Sequence, residues 1–453
     1  MSVSIANLFK VKEIRTRLLI TLSLLLCYRI GFYVPLPGVD FQKMVAQAGT
    51  SGEGWGKLIG IMNVLTGARL QQATIFSLGV MPYISASIIF SLLAKVVPAL
   101  ERIAKEGPSG QRKINQYTRL ATVPICFLQS FFVIFGVLAP GGTDSMLHAG
   151  VESYYLLYVI LVMVALTAGT MFVMWLGEQI TEHGVGNGIS LIIMAGIIAQ
   201  LWTAFSPFVT PGSKSALDTA SYQNLLLFLF AWVVAVVGVV YMTKAQRRIP
   251  IQQAKQTRGR RVYGGQRHFL PLKVNHAGVM PIIFASALLV IPSIFGTAVG
   301  WNWLQDAFTR GTGFVYVLTF SALIFFFQFF WTSLMFQPNE MAEQLKEYGS
   351  FIPGIRPGKK TAEFLEQTMI RISLAGAAFL SLVAIFPSLV SGQFQGLDQT
   401  LIYFMSGTSI LIVVGVALDL VEKLNGMLIM RNYEGFMKDS GAAGGAGWGR
   451  QGR

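Results

Sequence analysis

The sequence predicts an all-α, polytopic membrane protein, and three observations carry that expectation. Hydrophobic residues fill 53% of its 453 positions. Charged residues fill only 12%, about half of the roughly 25% usual in soluble domains. The apolar residues also gather in ten long stretches, each close to the roughly 20 residues a helix needs to cross a bilayer. A soluble enzyme of this length could not cover its surface with so little charge. A disordered chain would need low hydrophobicity with high net charge. The cysteines are Cys27 and Cys126, both inside apolar runs, and they read as buried thiols instead of a disulfide framework.

The stretches lie at about 18–34, 72–93, 120–138, 154–176, 188–208, 222–243, 274–293, 313–336, 371–391 and 400–420. Lipid offers the backbone no hydrogen-bond partner, so each is expected to close its bonds internally as a helix. The first carries Arg29 and ends in the turn-forming Val34-Pro35-Leu36-Pro37-Gly38. Basic residues precede it as in a signal peptide. No small-residue cleavage site follows and nine further stretches do, so it is expected to be a retained span. Leu225 to Val240 is strongly apolar, and Leu318 to Phe336 carries Phe325, Phe326, Phe327, Phe329 and Phe330.

Orientation follows from Lys and Arg. Of 35 such residues, 29 fall in the N-terminal tail, the segments Lys95–Arg119, Lys244–Lys273 and Lys346–Arg371, and the C-terminal tail. Alternate segments hold only Lys43, Lys57, Arg69, Lys214 and Arg310. Both termini are therefore expected in the cytoplasm. One cytoplasmic turn departs from the trend: Trp175–Gly188 carries Glu178 and Glu182 and no Lys or Arg.

Three loops exceed what a connection needs. Thr243–Lys273 contains Arg247, Arg248, Lys255, Arg258, Arg260, Arg261 and Arg267 without any Asp or Glu. It fits an anchor against anionic phospholipids or a docking site for a polyanionic partner, and its length favours docking. Asn339–Arg371 is charge-balanced, and its Ile352-Pro353-Gly354-Ile355-Arg356-Pro357-Gly358 is a rigid turn around one arginine. On the outer side, Leu58–Leu65 is apolar but too short to span, hence interfacial or re-entrant. The Gly-rich end of the C-terminal tail is expected to be disordered.

Catalytic and cofactor signatures are absent from the sequence. No phosphate loop occurs, and Gly184-Val185-Gly186-Asn187-Gly188 lacks the following lysine, which leaves a tight helix-to-helix turn. His148, His183, His268 and His276 are scattered and form no metal-binding spacing. No metal, cofactor or enzymatic activity is expected. The spans are almost uncharged, whereas ion-coupled carriers place ionisable groups there. They do contain small residues and prolines, as in Gly79-Val80-Met81-Pro82-Tyr83-Ile84-Ser85-Ala86-Ser87, which allow close and movable packing. An uncharged conduit fits better than a proton-coupled carrier.

Gly79 to Ile89, Met174-Trp175-Leu176-Gly177-Glu178-Gln179-Ile180-Thr181-Glu182-His183-Gly184, Gly186-Asn187-Gly188-Ile189-Ser190, Gly259-Arg260-Arg261-Val262-Tyr263, Leu270 to Asn275 and Pro353 to Gly358 resemble the SecY family of bacterial protein-conducting channels. The likeness runs from about residue 10 to 438. It implies ten transmembrane helices in two pseudo-symmetric five-helix halves around a central pore. The corresponding divisions are a tail at 1–17, a first half at 18–208, a hinge loop with span six at 209–243, and the basic loop at 244–273. Spans seven to ten at 274–420 follow, with a loop at 337–370, and then the tail at 421–453.

The resemblance further implies an apolar pore ring of Val80, Ile84, Ile189, Ile193, Ile283 and Ile412. Aliphatic rings block ions by dewetting. It implies a plug at about 58–72 that includes Ile61, Met62, Asn63, Val64, Leu65, Thr66 and Gly67, a lateral gate with Gln129 and Asn275, and docking through Arg260, Arg261 and Arg356. The implied partners are the small subunits SecE and SecG, the motor ATPase SecA, the ribosome, signal-sequence-bearing polypeptides and anionic phospholipids. The implied location is the bacterial cytoplasmic (inner) membrane. A secondary transporter of a small solute is the alternative, and it would need an essential charge inside the spans.

Overall fold

The structure is a computed structural model and describes residues 11–38, 74–134, 154–209, 219–254, 256–258, 261–263, 267–285, 288–289, 292, 313–391 and 407–444. Helices occupy the expected stretches. They are α1 (Lys12–Gly31), α2 (Met81–Val96), α3 (Pro98–Lys105), α4 (Pro108–Val133), α5 (Tyr155–His183), α6 (Gly188–Val209), α7 (Thr219–Lys244), α8 (Phe314–Met335), α9 (Pro338–Glu347), α10 (Lys359–Ser391) and α11 (Gly407–Gly444). Within the seventh stretch, residues 280–285 are helical. Among the described residues, Tyr155–His183, Phe314–Glu347 and Lys359–Phe386 are each long and apolar enough to cross a membrane, and Met81–Ala94 with Pro98–Lys105 adds a fourth if that bent pair is one span. Ten spans is the sequence-based number.

The second stretch becomes helical later than its hydropathy suggests. Residues 74–80 form a turn instead, in which the Thr74 N–H donates to Ser77 Oγ at 2.8 Å and the Ser77 hydroxyl donates back to the Thr74 carbonyl at 2.6 Å. Met81 and Pro82 then open α2, with the proline in the first turn, where its missing N–H costs no helical bond.

The chain divides into two compact units. One holds α1 to α5, α6 up to Ile198, and α11 from Val416; the other holds the described residues between Ala199 and Gly415. In the first unit, Tyr28, Phe32, Phe76, Val80, Val173, Leu176, Ile180, Leu191 and Ile192 make one core. Tyr28 stands edge-on to Phe32 with ring centroids 5.0 Å apart, and Phe76 stacks on Phe172 at 6.0 Å. Leu19, Leu22, Leu26 and Ile30 of α1 remain exposed, the face such a helix would turn to lipid.

In the second unit α8 and α9 both pack against α10. Here the structure adds to the all-α expectation. The basic loop folds into strands: β1 (Gln246–Gln253), β2 (Gln256–Arg258), β3 (Arg261–Tyr263) and β4 (Arg267–Lys273). β4 pairs antiparallel with β1, and β1 also pairs with β5 (Ser350–Phe351) from the loop between α9 and α10. The alternation Arg248-Ile249-Pro250-Ile251 carries the strand signal, with Ile249 and Ile251 buried. The apolar face of that sheet, through Ile249 and Leu272, joins Phe336, Ile352, Leu365, Met369 and Ile372 in a second core.

Candidate functional site

The residues expected to line a pore divide between the two units. Val80, Ile84, Ile189 and Ile193 belong to the first; Ile283 and Ile412 belong to the second. Val80 is 1% exposed within the core of its unit, and Ile84 and Ile189 pack against that core. Val80 is the residue just before α2, and Ile84 lies one helical turn further on, its N–H donating to the Val80 carbonyl at 3.0 Å. Ile189 and Ile193 are spaced alike on α6. Each helix thus offers an aliphatic pair on one face.

The first turn of α6 is held by side chains. Asn187 Oδ1 accepts the N–H groups of Ile189 at 3.1 Å and Ser190 at 3.4 Å, so Asn187 caps the helix. The Gly188 N–H donates to Thr181 Oγ1 at 2.9 Å, and that hydroxyl donates to the Gly177 carbonyl at 2.8 Å. The Gly-rich string is therefore the tight helix-to-helix turn that the sequence suggests.

Of the expected docking arginines, Arg261 and Arg356 lie among the described residues of the second unit. Pro353 and Gly354 form the centre of a turn closed by the Ile355 N–H donating to the Ile352 carbonyl at 3.1 Å, with Gly354 at φ +86°. Proline followed by a positive-φ glycine is the type II pattern. The Thr361 hydroxyl then donates to the Arg356 carbonyl at 2.9 Å. This fixes the backbone while the Arg356 side chain stays exposed. Arg261 opens β3, its backbone opposite Arg258; Arg260 lies outside the described residues, as do Ile61 to Gly67.

Gln129 belongs to the first unit and Asn275 to the second. Each keeps a buried side-chain oxygen, Gln129 Oε1 and Asn275 Oδ1, without a hydrogen-bond partner among the described residues. Two features escape sequence reasoning. Gln328, inside the phenylalanine-rich α8, is fully buried, and neither its amide oxygen nor its nitrogen finds a partner among the described residues. Arg119 at the start of the third stretch pairs with Glu178 at 2.6 Å, and only the acidic bias of the 175–188 turn hinted at it.

A family model described as SecY matches residues 74–421. The protein translocase subunit SecY of Thermotoga maritima is 40% identical over 442 residues, spanning 95% of this chain and 97% of that protein. The SecY subunit of Escherichia coli K12 is 40% identical over 444 residues, spanning 95% and 96%. A solved structure described as a protein conducting channel superposes with a TM-score of 0.59 at 17% identity, covering 90% of this chain and 91% of the other. Sec61 from the canine ribosome–channel complex does so at 0.56 and 16% identity, with 90% and 91% covered. At those identities the structural likeness speaks for the fold.

Proposed function

The chain belongs to the SecY family, and from that premise we propose that it is the channel-forming subunit of a protein translocase. It would pass unfolded secretory polypeptides across the membrane and release transmembrane segments sideways into lipid. The single observation that carries this reading is 40% identity with translocase subunits over 95% of the chain. The physics agrees with it. Nearly uncharged spans suit a conduit that must not bind its cargo, and a chain with no phosphate loop would take its driving force from a partner. The small-solute carrier loses its support, because the relatives are translocase subunits.

The reading extends to finer points. Ten spans would form two pseudo-symmetric halves, in a bacterial cytoplasmic membrane, with both termini in the cytoplasm. Val80, Ile84, Ile189, Ile193, Ile283 and Ile412 would seal the resting pore. A structurally similar SecY is described as having a plug domain that stabilises the closed channel, which supports a plug around Ile61–Gly67. Gln129 and Asn275 would meet across a lateral gate for signal sequences. Sec61 and Ssh1 channels are described in ribosome complexes, which supports docking of the ribosome at Arg260, Arg261 and Arg356. SecA would use the same platform, SecE and SecG would complete the membrane complex, and anionic phospholipids would meet the basic loop. The protein would catalyse no reaction and hold no cofactor.

Depletion in the native cell tests the reading. Shutting off synthesis of this chain should make secretory precursors accumulate with uncleaved signal sequences, and unchanged export would overturn it.

A further inference from the structure

α5 ends at His183 and α6 begins at Gly188, so four residues must reverse the chain. Four backbone donors at the two ends of this turn are met from within the hairpin: the Gly184 N–H by the Ile180 carbonyl at 2.9 Å, Gly188 by Thr181, and Ile189 and Ser190 by Asn187. The Val185 N–H, at the turn's centre, is met from far away in sequence. It donates to Thr21 Oγ1 of α1 at 3.1 Å, a buried bond, while the Thr21 hydroxyl donates to the Arg17 carbonyl at 2.9 Å. The approach is close enough to demand glycine at 184, where a Cβ would run into the Thr21 hydroxyl and the Ile180 carbonyl. The Val185 side chain is 1% exposed and packs with Ile14 of α1 and with Leu424 and Leu428 of α11.

We propose that Thr21 is a positioning residue for the fifth span. Its hydroxyl fixes the height of the 184–187 turn and hence of α6, which carries Ile189 and Ile193. A displaced turn would shift both isoleucines together, because a helix moves as a rigid element over so short a length. The consequence for sealing rests on the channel reading above; the latch itself does not.

Thr21→Val keeps the shape and removes the acceptor, whereas Thr21→Ser keeps it. Both are measured in the intact translocase complex, by hydrogen exchange in nanodiscs and by resting conductance in planar bilayers, beside Ile193→Asn. The T21V complex should exchange the amides of residues 185–190 about 5- to 10-fold faster, the size of effect expected for one lost buried bond, and should leak ions. The T21S complex should do neither. Gly184→Ala, which pushes the turn off an intact hydroxyl, should reproduce the faster exchange even if T21V does not assemble. Unchanged exchange in T21V or in G184A overturns the proposal, as does a rise of equal size in T21S. A sealed T21V bilayer beside a leaking I193N one overturns the link to the pore. A sealed I193N bilayer instead removes the ring reading, and exchange still decides the latch.

Discussion

Arg119 of α4 and Glu178 of α5 form an ion pair with Arg119 Nε 2.6 Å from Glu178 Oε1, the carboxylate side chain only 18% exposed. This places an acid of the 175–188 turn, which lacks Lys and Arg, against a cation from the basic segment 95–119. Two helices that pack along each other are thereby fixed in axial register at one end. Breaking such a pair leaves a lone, partly buried charge. Arg119 is 45% exposed, so solvent screening reduces the penalty below that of a fully buried pair. Arg119→Ala or Glu178→Gln should each cost about 1–2 kcal/mol. The R119A/E178Q double variant should cost less than the sum of the two. Thermal unfolding of the purified complex measures this, and strictly additive losses would contradict the pairing.

Leu365 ties two loops to one core. It is 0% exposed, among Ile249 and Leu272 of the sheet and Ile352 of the arginine-bearing turn. Leu365→Ala should cost about 2–5 kcal/mol locally, and both loops should loosen at once. Limited trypsin digestion should then cut faster after Arg261 and after Lys359 together. Acceleration at one loop alone would refute their mechanical coupling.

Arg356 is presented on a backbone whose shape can be disturbed separately from its charge. Arg356→Glu should abolish motor-driven export while thermal stability stays within about 0.5 kcal/mol, the usual range for a surface change. Gly354 sits at φ +86° with open space where a Cβ would go. Gly354→Ala therefore meets no clash and costs only backbone strain, about 1–2 kcal/mol. Export by G354A should be weakened with the arginine still present. Full export in both variants would remove Arg356 from the docking surface.

Gln328 stands fully buried in α8 with both amide atoms unpartnered among the described residues. An orphaned buried amide costs about 1–3 kcal/mol in desolvation, and an apolar residue of similar size does not. Gln328→Leu should therefore raise the unfolding temperature of the complex. A lower one would mean that the amide is satisfied in the assembled membrane protein.

How far the sequence announced all this depends on what each feature requires. The helices were legible because lipid forces apolar runs of fixed length, and Tyr155–His183 and Phe314–Met335 satisfy that requirement residue by residue. The late start of α2 was not, since the 74–80 turn rests on Thr74 and Ser77 bonding each other within an otherwise apolar stretch. The sheet was half visible: Ile249 and Ile251 alternate correctly, but the partner strand β5 lies about 100 residues away, and pairing at that distance leaves no local mark. Of the candidate site, aliphatic positions such as Ile84 and Ile193 look like any lipid-facing residue, and only family likeness selects them. Thr21 was invisible, and Arg119 nearly so, for the opposite reason. Each is ordinary in its own helix and acquires its role from a residue on another.

The most direct test is reconstitution of the purified complex with its motor and ATP in sealed vesicles, followed by addition of a radiolabelled secretory precursor and external protease. The chain as a protein-conducting channel predicts that the precursor becomes protease-protected, that protection needs ATP, and that it disappears when the vesicle is dissolved in detergent. A precursor that stays fully digestible in vesicles shown to hold folded, motor-bound complex would contradict it.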